Sequence, residues 1–217
     1  MEPQENESSN LIKKLANDKY SFYKDINQEL PTGGIVLLGD SLVQNFPVDE
    51  MYHGSVRILN RGIFGSTTYD VIKRLDDIVN ILKPDTVIIW VGTNDIMPAV
   101  PYNAEKEIAE RIIHIADLII SSKCDTKILI MSLLPVNNSA HPKIYHDWLI
   151  GKDNDKLKNI NTELKKLCSQ KNYIWLDTFD LFLDEEGQLQ LNYTIDGTHI
   201  NFAGYKIILE KLKSYFQ

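Results

Sequence analysis

Asp196-Gly197-Thr198-His199 sets a carboxylate three residues ahead of an imidazole, across a glycine that lets the chain fold back. Such a carboxylate can hold one ring nitrogen, fix the tautomer and stabilise the imidazolium, leaving the other nitrogen to take and return a proton. The pair needs a nucleophile. Ser41, in Gly39-Asp40-Ser41-Leu42, carries a hydroxyl that becomes reactive only when a base removes its proton. Two further segments hold groups suited to a developing oxyanion. In Asn60-Arg61-Gly62-Ile63-Phe64-Gly65 a glycine lets backbone come close and aim an N–H, and in Gly92-Thr93-Asn94-Asp95 the Asn94 amide is a neutral donor. Each segment also has an ordinary reading. Serine after aspartate caps a helix or fills a turn, Gly62 and Gly65 make a tight turn, Asn-Asp is a common turn pair, and a surface histidine can sit near an unrelated aspartate.

The elements that would position these groups are short apolar runs alternating with amphipathic stretches. Strands are expected at 35–38, 56–60, 86–91, 127–132 and 173–176, each rich in β-branched residues and bounded by turn or polar residues. Helical spacing links Val71, Leu75, Ile78 and Leu82, with Thr67 or Thr68 as N-cap. It also links Ile108, Ile112, Ile115 and Ile119, and Leu157, Ile160, Leu164 and Leu167. A last helix is expected after Asn201 and another before the first strand, over 11–26. Alternating strands and helices predict an α/β fold, a three-layer α/β/α sandwich on a five-stranded parallel sheet with right-handed crossovers. In such a sheet ligands bind beyond the carboxyl ends of the strands. The serine, glycine and asparagine segments follow the first three strands directly, and the Asp–His segment precedes the last helix.

The length of 217 residues fits one domain, with residues 1–10 read as a flexible polar tail. A net charge of −7 disfavours nucleic acid as a partner, because an acidic surface repels phosphate. Val87 to Val91 is the longest unbroken hydrophobic run, far short of a membrane span. The acidic, polar start lacks the features of a secretory signal, so a cytoplasmic location is expected. Cys124 and Cys168 form no C-x-x-C pair and read as reduced, packed thiols. Neither a phosphate-cradling G-x-x-x-x-G-K-[ST] nor a G-x-G-x-x-G after the first strand is present, which disfavours a nucleotide-binding protein. Four other histidines lack an acid in a comparable turn. His114 is expected to face solvent and His53 to lie in a turn, while a metal site from His141, His146 and Asp147 has no strong template. The long connection 133–154 should border the same cleft, with Tyr145 and Trp148 able to wall off a substrate; an ordinary surface excursion is the alternative.

Taken together, Gly39-Asp40-Ser41-Leu42, Gly62, Gly92-x-Asn94-Asp95 and Asp196-x-x-His199 resemble the SGNH hydrolases, also called GDSL esterases, in the family's order and from about residue 33 to the last helix. The likeness is greatest to the branch of the platelet-activating-factor acetylhydrolase α subunits, Asn60-Arg61-Gly62 included. The resemblance implies a flavodoxin-like sheet and a serine ester hydrolase without metal or cofactor. It makes Ser41 the nucleophile, His199 the base and Asp196 the orienting acid, with the Ser41 and Gly62 N–H groups and the Asn94 amide as oxyanion donors. Leu42, Arg61, Leu134, Tyr145 and Trp148 are the expected substrate contacts, and a homodimer follows only by family analogy. The substrate is expected to be a small, short-acyl ester, since no greasy lid is evident. Thioesters and acetylated sugars suit the same triad, and a non-catalytic binding protein on the same fold is the rival from another class.

Overall fold

The computed structural model describes residues 7–216, with side chains from residue 10. Its centre is one parallel sheet of β1 (Ile35–Gly39), β2 (Ile58–Gly62), β3 (Thr86–Trp90), β4 (Lys127–Met131) and β5 (Ile174–Leu176), in the order β2-β1-β3-β4-β5. Neighbours run in register from Ile35 against Ile58 to Gly39 against Gly62, and Ile35 pairs equally with Thr86. The order reverses at β1, so its carboxyl end opens between β2 and β3, where a doubly wound sheet offers its crevice.

Side chains alternate across the sheet and feed two cores. Val36, Leu38, Val87, Ile89, Ile128 and Ile130 face one side. They are covered by α1 (Glu7–Glu29), α4 (Thr68–Ile78), α5 (Glu105–Ser122) and α6 (Asn154–Lys171). Ile35, Leu37, Ile88, Trp90, Leu129 and Met131 face the other, against the short helices α2 (Ser41–Gln44) and α3 (Val48–Met51) and against α7 (Phe202–Leu212). Because β1 and β3 are buried on both faces, they read as continuous apolar runs and not as alternating ones.

Caps end the connections at defined places. Thr67 and Asp70 form a reciprocal capping box at α4, and the Asn201 side chain accepts the Gly204 N–H at 3.1 Å at the start of α7. Helix α1 begins at Glu7, so residues 7–10 of the expected tail form its first turn, while residues 1–6 lie outside the described residues. Cys168 is buried as expected but Cys124 is exposed, because it lies in the turn between α5 and β4 and not on a helix's apolar face. Among the described residues no helix is long and apolar enough to cross a membrane.

Candidate active site

Ser41 is the first residue after the tight turn at the end of β1. The turn is held because Asp40 caps α2, its carboxylate accepting the Leu42 N–H at 3.0 Å. Gly39 is required there: a Cβ would lie 2.1 Å from the Trp90 carbonyl oxygen of β3. The first N–H of a helix has no intrahelical acceptor, which leaves the Ser41 N–H pointing out of the turn. Across the cleft, the 194–200 loop is a self-bonded unit. Thr194 Oγ donates to the His199 carbonyl at 2.8 Å and accepts the Gly197 N–H at 2.8 Å. Gly197 takes φ +97°, and the 133–154 connection pins the loop through Asn137 N–H to Gly197 O and Tyr145 N–H to Asp196 O, both at 2.8 Å.

These two turns bring together residues 158 positions apart: His199 Nε2 lies 2.9 Å from Ser41 Oγ. His199 Nδ1 lies 2.6 Å from Asp196 Oδ2, while Asp196 Oδ1 accepts the backbone N–H groups of Thr198 and His199 at 2.9 and 2.8 Å. Half-burial opposes the Asp196 charge, but the bonds from the His199 ring and from these N–H groups outweigh it and hold the carboxyl below the usual range. Phe64 stacks on the imidazole at 5.7 Å between centroids and Trp148 meets it edge-on at 6.3 Å, so two mutually packed aromatic rings hold its orientation.

Asn94 projects from the turn after β3, where its side-chain amide donates one hydrogen to Ser66 O at 3.1 Å and keeps the other. The turn is anchored by Asp95, which is wholly buried and accepts from Thr68 and from Arg111 Nη2 at 3.2 Å. The glycine expected as a donor differs. Gly62 N–H is taken by Asn60 Oδ1 at 2.9 Å, and a Cβ on Gly62 would sit 2.1 Å from the Gln44 N–H nitrogen, so its smallness serves the passage of β2 beneath α2. Gly65, three residues on, lines a cavity of about 340 Å³ with Ser41, Asn94 and His199. It has φ +73°, and its N–H has no acceptor among the described residues. The repeated glycine of the Gly62–Gly65 segment was the only signal for it.

Of the five expected substrate contacts, Trp148 lines this cavity. Tyr145 stands beside it, exposed, with its ring 5.6 Å from that of Trp148. Leu42 and Leu134 are instead buried in the α7-side core, because the chain directs them back over the sheet. Arg61 points to the opposite side: it lies beneath α1, donating to Asn27 Oδ1 through Nε at 3.0 Å, with its guanidinium 4.7 Å from the Tyr23 ring centroid. His53, His114, His141 and His146 are exposed. Among the described residues no group of three or more His, Cys, Asp or Glu is placed to hold a metal, so His141, His146 and Asp147 do not assemble one. Lys152, which composition and spacing did not mark, lines the cavity as well.

Asp40 has a second property. Burial pushes its carboxyl above the ordinary 3.8 to about 6, against the opposing Leu42 N–H and Lys152. A carboxyl whose folded value is raised keeps its proton longer when folded, so it costs stability as pH rises from about 4 through about 6. Asp40→Asn retains the capping acceptor without the charge. Its melting temperature should equal that of the wild type below pH 4 and exceed it at pH 7.5, the gap corresponding to on the order of 3 kcal/mol of stability; equal curves at both pH values would show that Asp40 carries no buried charge.

The GDSL-like lipase/acylhydrolase family model matches residues 37–207. The alpha2 subunit of platelet-activating factor acetylhydrolase IB, in Bos taurus and in Homo sapiens, is 30% identical over 184 residues, covering 82% of this chain and 73% of that protein. A solved structure from Streptococcus pneumonia, described as a proposed platelet activating factor, superposes with a TM-score of 0.85 at 30% identity, over 96% of this chain and 95% of that one. A GDSL-like lipase from Bacteroides thetaiotaomicron shares the fold, with a TM-score of 0.75 at 22% identity over 93% and 98% of the two chains.

Proposed function

The chain belongs to the GDSL-like lipase/acylhydrolase family and is a carboxylic ester hydrolase, and on that premise we propose that it cleaves small, short-acyl esters through an acyl-enzyme on Ser41. The observation that carries this reading is the continuous relay from Ser41 Oγ to His199 Nε2 at 2.9 Å and from His199 Nδ1 to Asp196 Oδ2 at 2.6 Å. Ser41 Oγ attacks the ester carbonyl carbon as its proton passes to His199 Nε2, and the Asp196 carboxylate stabilises the imidazolium. The tetrahedral oxyanion accepts hydrogen bonds from the Ser41 and Gly65 N–H groups and from the free hydrogen of the Asn94 amide. Collapse breaks the bond to the alcohol oxygen, which leaves with the proton from His199. Water then attacks the acyl-enzyme, giving its proton to His199, and the second collapse releases the acid and returns the proton to Ser41. A cavity of about 340 Å³ around Ser41 suits a small substrate.

The direct test is covalent capture: a fluorophosphonate should modify this chain once, at the peptide that carries Ser41, and labelling elsewhere or none would remove the assignment. The donors are separable from the nucleophile. Asn94→Ala should lower kcat on p-nitrophenyl acetate by about 10²–10³ with little change in KM, because the amide acts chiefly in the transition state. A loss confined to KM would mean that Asn94 only binds the ground state.

A further inference from the structure

An ammonium group taken from water must exchange its hydration for acceptors, so lysine is rarely buried without a partner. Lys152 is 7% exposed and lines the cavity that holds Ser41, Asn94 and His199. Its Nζ makes no hydrogen bond or ion pair among the described residues; what holds its charge is the longer-range pull of Asp40 and Asp196. Burial brings its pKa down to about 8, which leaves it charged at neutral pH. Neither carboxylate is idle. Asp40 accepts the Leu42 N–H, and Asp196 accepts from Thr198 and from the backbone and ring of His199.

The lysine is also placed by a constrained turn. Lys152 N–H donates to Leu149 O at 2.8 Å, and the preceding Gly151 takes φ +78°, with Pro98 Cδ and Ile96 O only 2.9 and 3.0 Å from where a Cβ would stand. Lys13 lines the same cavity. Its lining carboxylate, Asp147, is exposed and hydrogen-bonded to Tyr145. Phe64, Met97 and Trp148 supply apolar wall. In a cavity of about 340 Å³, a group that reaches Lys152 belongs to the same small molecule as the ester bound at Ser41.

We infer that Lys152 is a specificity-determining residue of this hydrolase, binding a carboxylate or phosphate carried by the ester substrate. This rests on the ester hydrolysis at Ser41 proposed above. The anion would satisfy the ammonium hydrogens that the chain itself leaves without acceptors, and a charge-assisted bond of this kind discriminates well against a neutral isostere.

Two matched pairs locate the anion. On the acyl side they are p-nitrophenyl hemiglutarate and p-nitrophenyl butyrate; on the alcohol side, the acetyl esters of glycerol phosphate and of glycerol, followed by acid release. The wild type should prefer the anionic member of one pair. In Lys152→Met that pair's ratio of kcat/KM should fall by about 10- to 100-fold, mainly through KM, and Lys152→Arg should restore most of it. Glutarate or glycerol phosphate should inhibit the wild type competitively at constant ionic strength. If Lys152→Met does not fold, the wild-type preference and this inhibition decide alone. An enzyme that is labelled at Ser41 yet prefers the neutral member of both pairs overturns the role of Lys152 by itself. So does Lys152→Met losing equally on both members, which would make the lysine only a counter-ion to Asp40 and Asp196. No labelling at Ser41 and no turnover of any of the four esters would overturn the hydrolytic reading together with it.

Discussion

Replacing Ser41 by alanine should lower kcat on p-nitrophenyl acetate by on the order of 10⁴–10⁶ while leaving the far-UV circular dichroism and the cooperative unfolding transition in place. The size of the effect follows from the absence of a substitute: among the described residues the hydroxyl is the only group hydrogen-bonded to His199 Nε2, at 2.9 Å. Without it the imidazole can at best activate water in a site built for a two-step reaction. The fold should survive because the turn does not depend on Oγ. Asp40 caps α2 through the Leu42 N–H, and Gly39 and Val43 are fixed by β3 and the core. Fluorophosphonate labelling should vanish in the same variant. Turnover within tenfold of the wild type in a cleanly purified Ser41→Ala would mean that a different nucleophile works in this cavity.

The pairing of Ser41 with His199 rested on the resemblance of four segments to the SGNH hydrolases, and the fold class set three of those segments at the carboxyl ends of strands. Apolar runs such as Ile35–Leu38 and Thr86–Val91 admit few readings other than doubly buried parallel strands, and a parallel sheet confines chemistry to the loops at one end. Strand limits were less clear. β2 was expected over 56–60 and is found at Ile58–Gly62, because pairing with β1 in register carries it on to Gly62 opposite Gly39. A strand's extent is fixed by its neighbour as well as by its own side chains.

What the sequence hid depends on packing between distant segments. Gly62 ends β2 and Gly65 lies three residues on in the turn that follows, and only the crossing of β2 beneath Gln44 decides which of them reaches the cavity. Arg61, expected as a substrate contact, is covered by α1, with Asn27 and Tyr23 as partners. Helix α1 was expected over 11–26 with no face assigned, and in it Leu11, Leu15 and Phe22 are exposed while the polar Asn27 is buried. The apolar pattern of Leu11, Leu15 and Phe22 therefore does not mark the face of α1 that packs on the sheet. Lys152 gave no signal at all, because a lysine after glycine is an ordinary surface turn unless the connection folds inward.

Asp196→Asn tests the orientation of the base separately from the nucleophile. The asparagine oxygen can still accept the Thr198 and His199 N–H groups that Asp196 Oδ1 holds at 2.9 and 2.8 Å, so the loop should keep its shape. The change falls at the other atom. Where Oδ2 accepts from His199 Nδ1 at 2.6 Å, an amide nitrogen would donate, placing the ring proton on Nε2, the nitrogen that has to receive the proton of Ser41. The positive charge on the imidazolium would also lose its counter-charge. Together these should lower kcat on p-nitrophenyl acetate by about 10⁴ with KM little altered. Asp196 also contributes stability, since a carboxyl held below its usual range favours the folded state above that range and loses this as pH falls through its folded value. Asp196→Asn should therefore melt lower than the wild type at pH 7, with the gap narrowing only once the pH falls below the usual carboxylate range. The double variant Ser41→Ala with Asp196→Asn should be hardly slower than Ser41→Ala alone, because a carboxylate that orients a base has nothing to act on once the nucleophile is gone. Additive losses in that double variant would show that Asp196 works through some group other than His199 and Ser41.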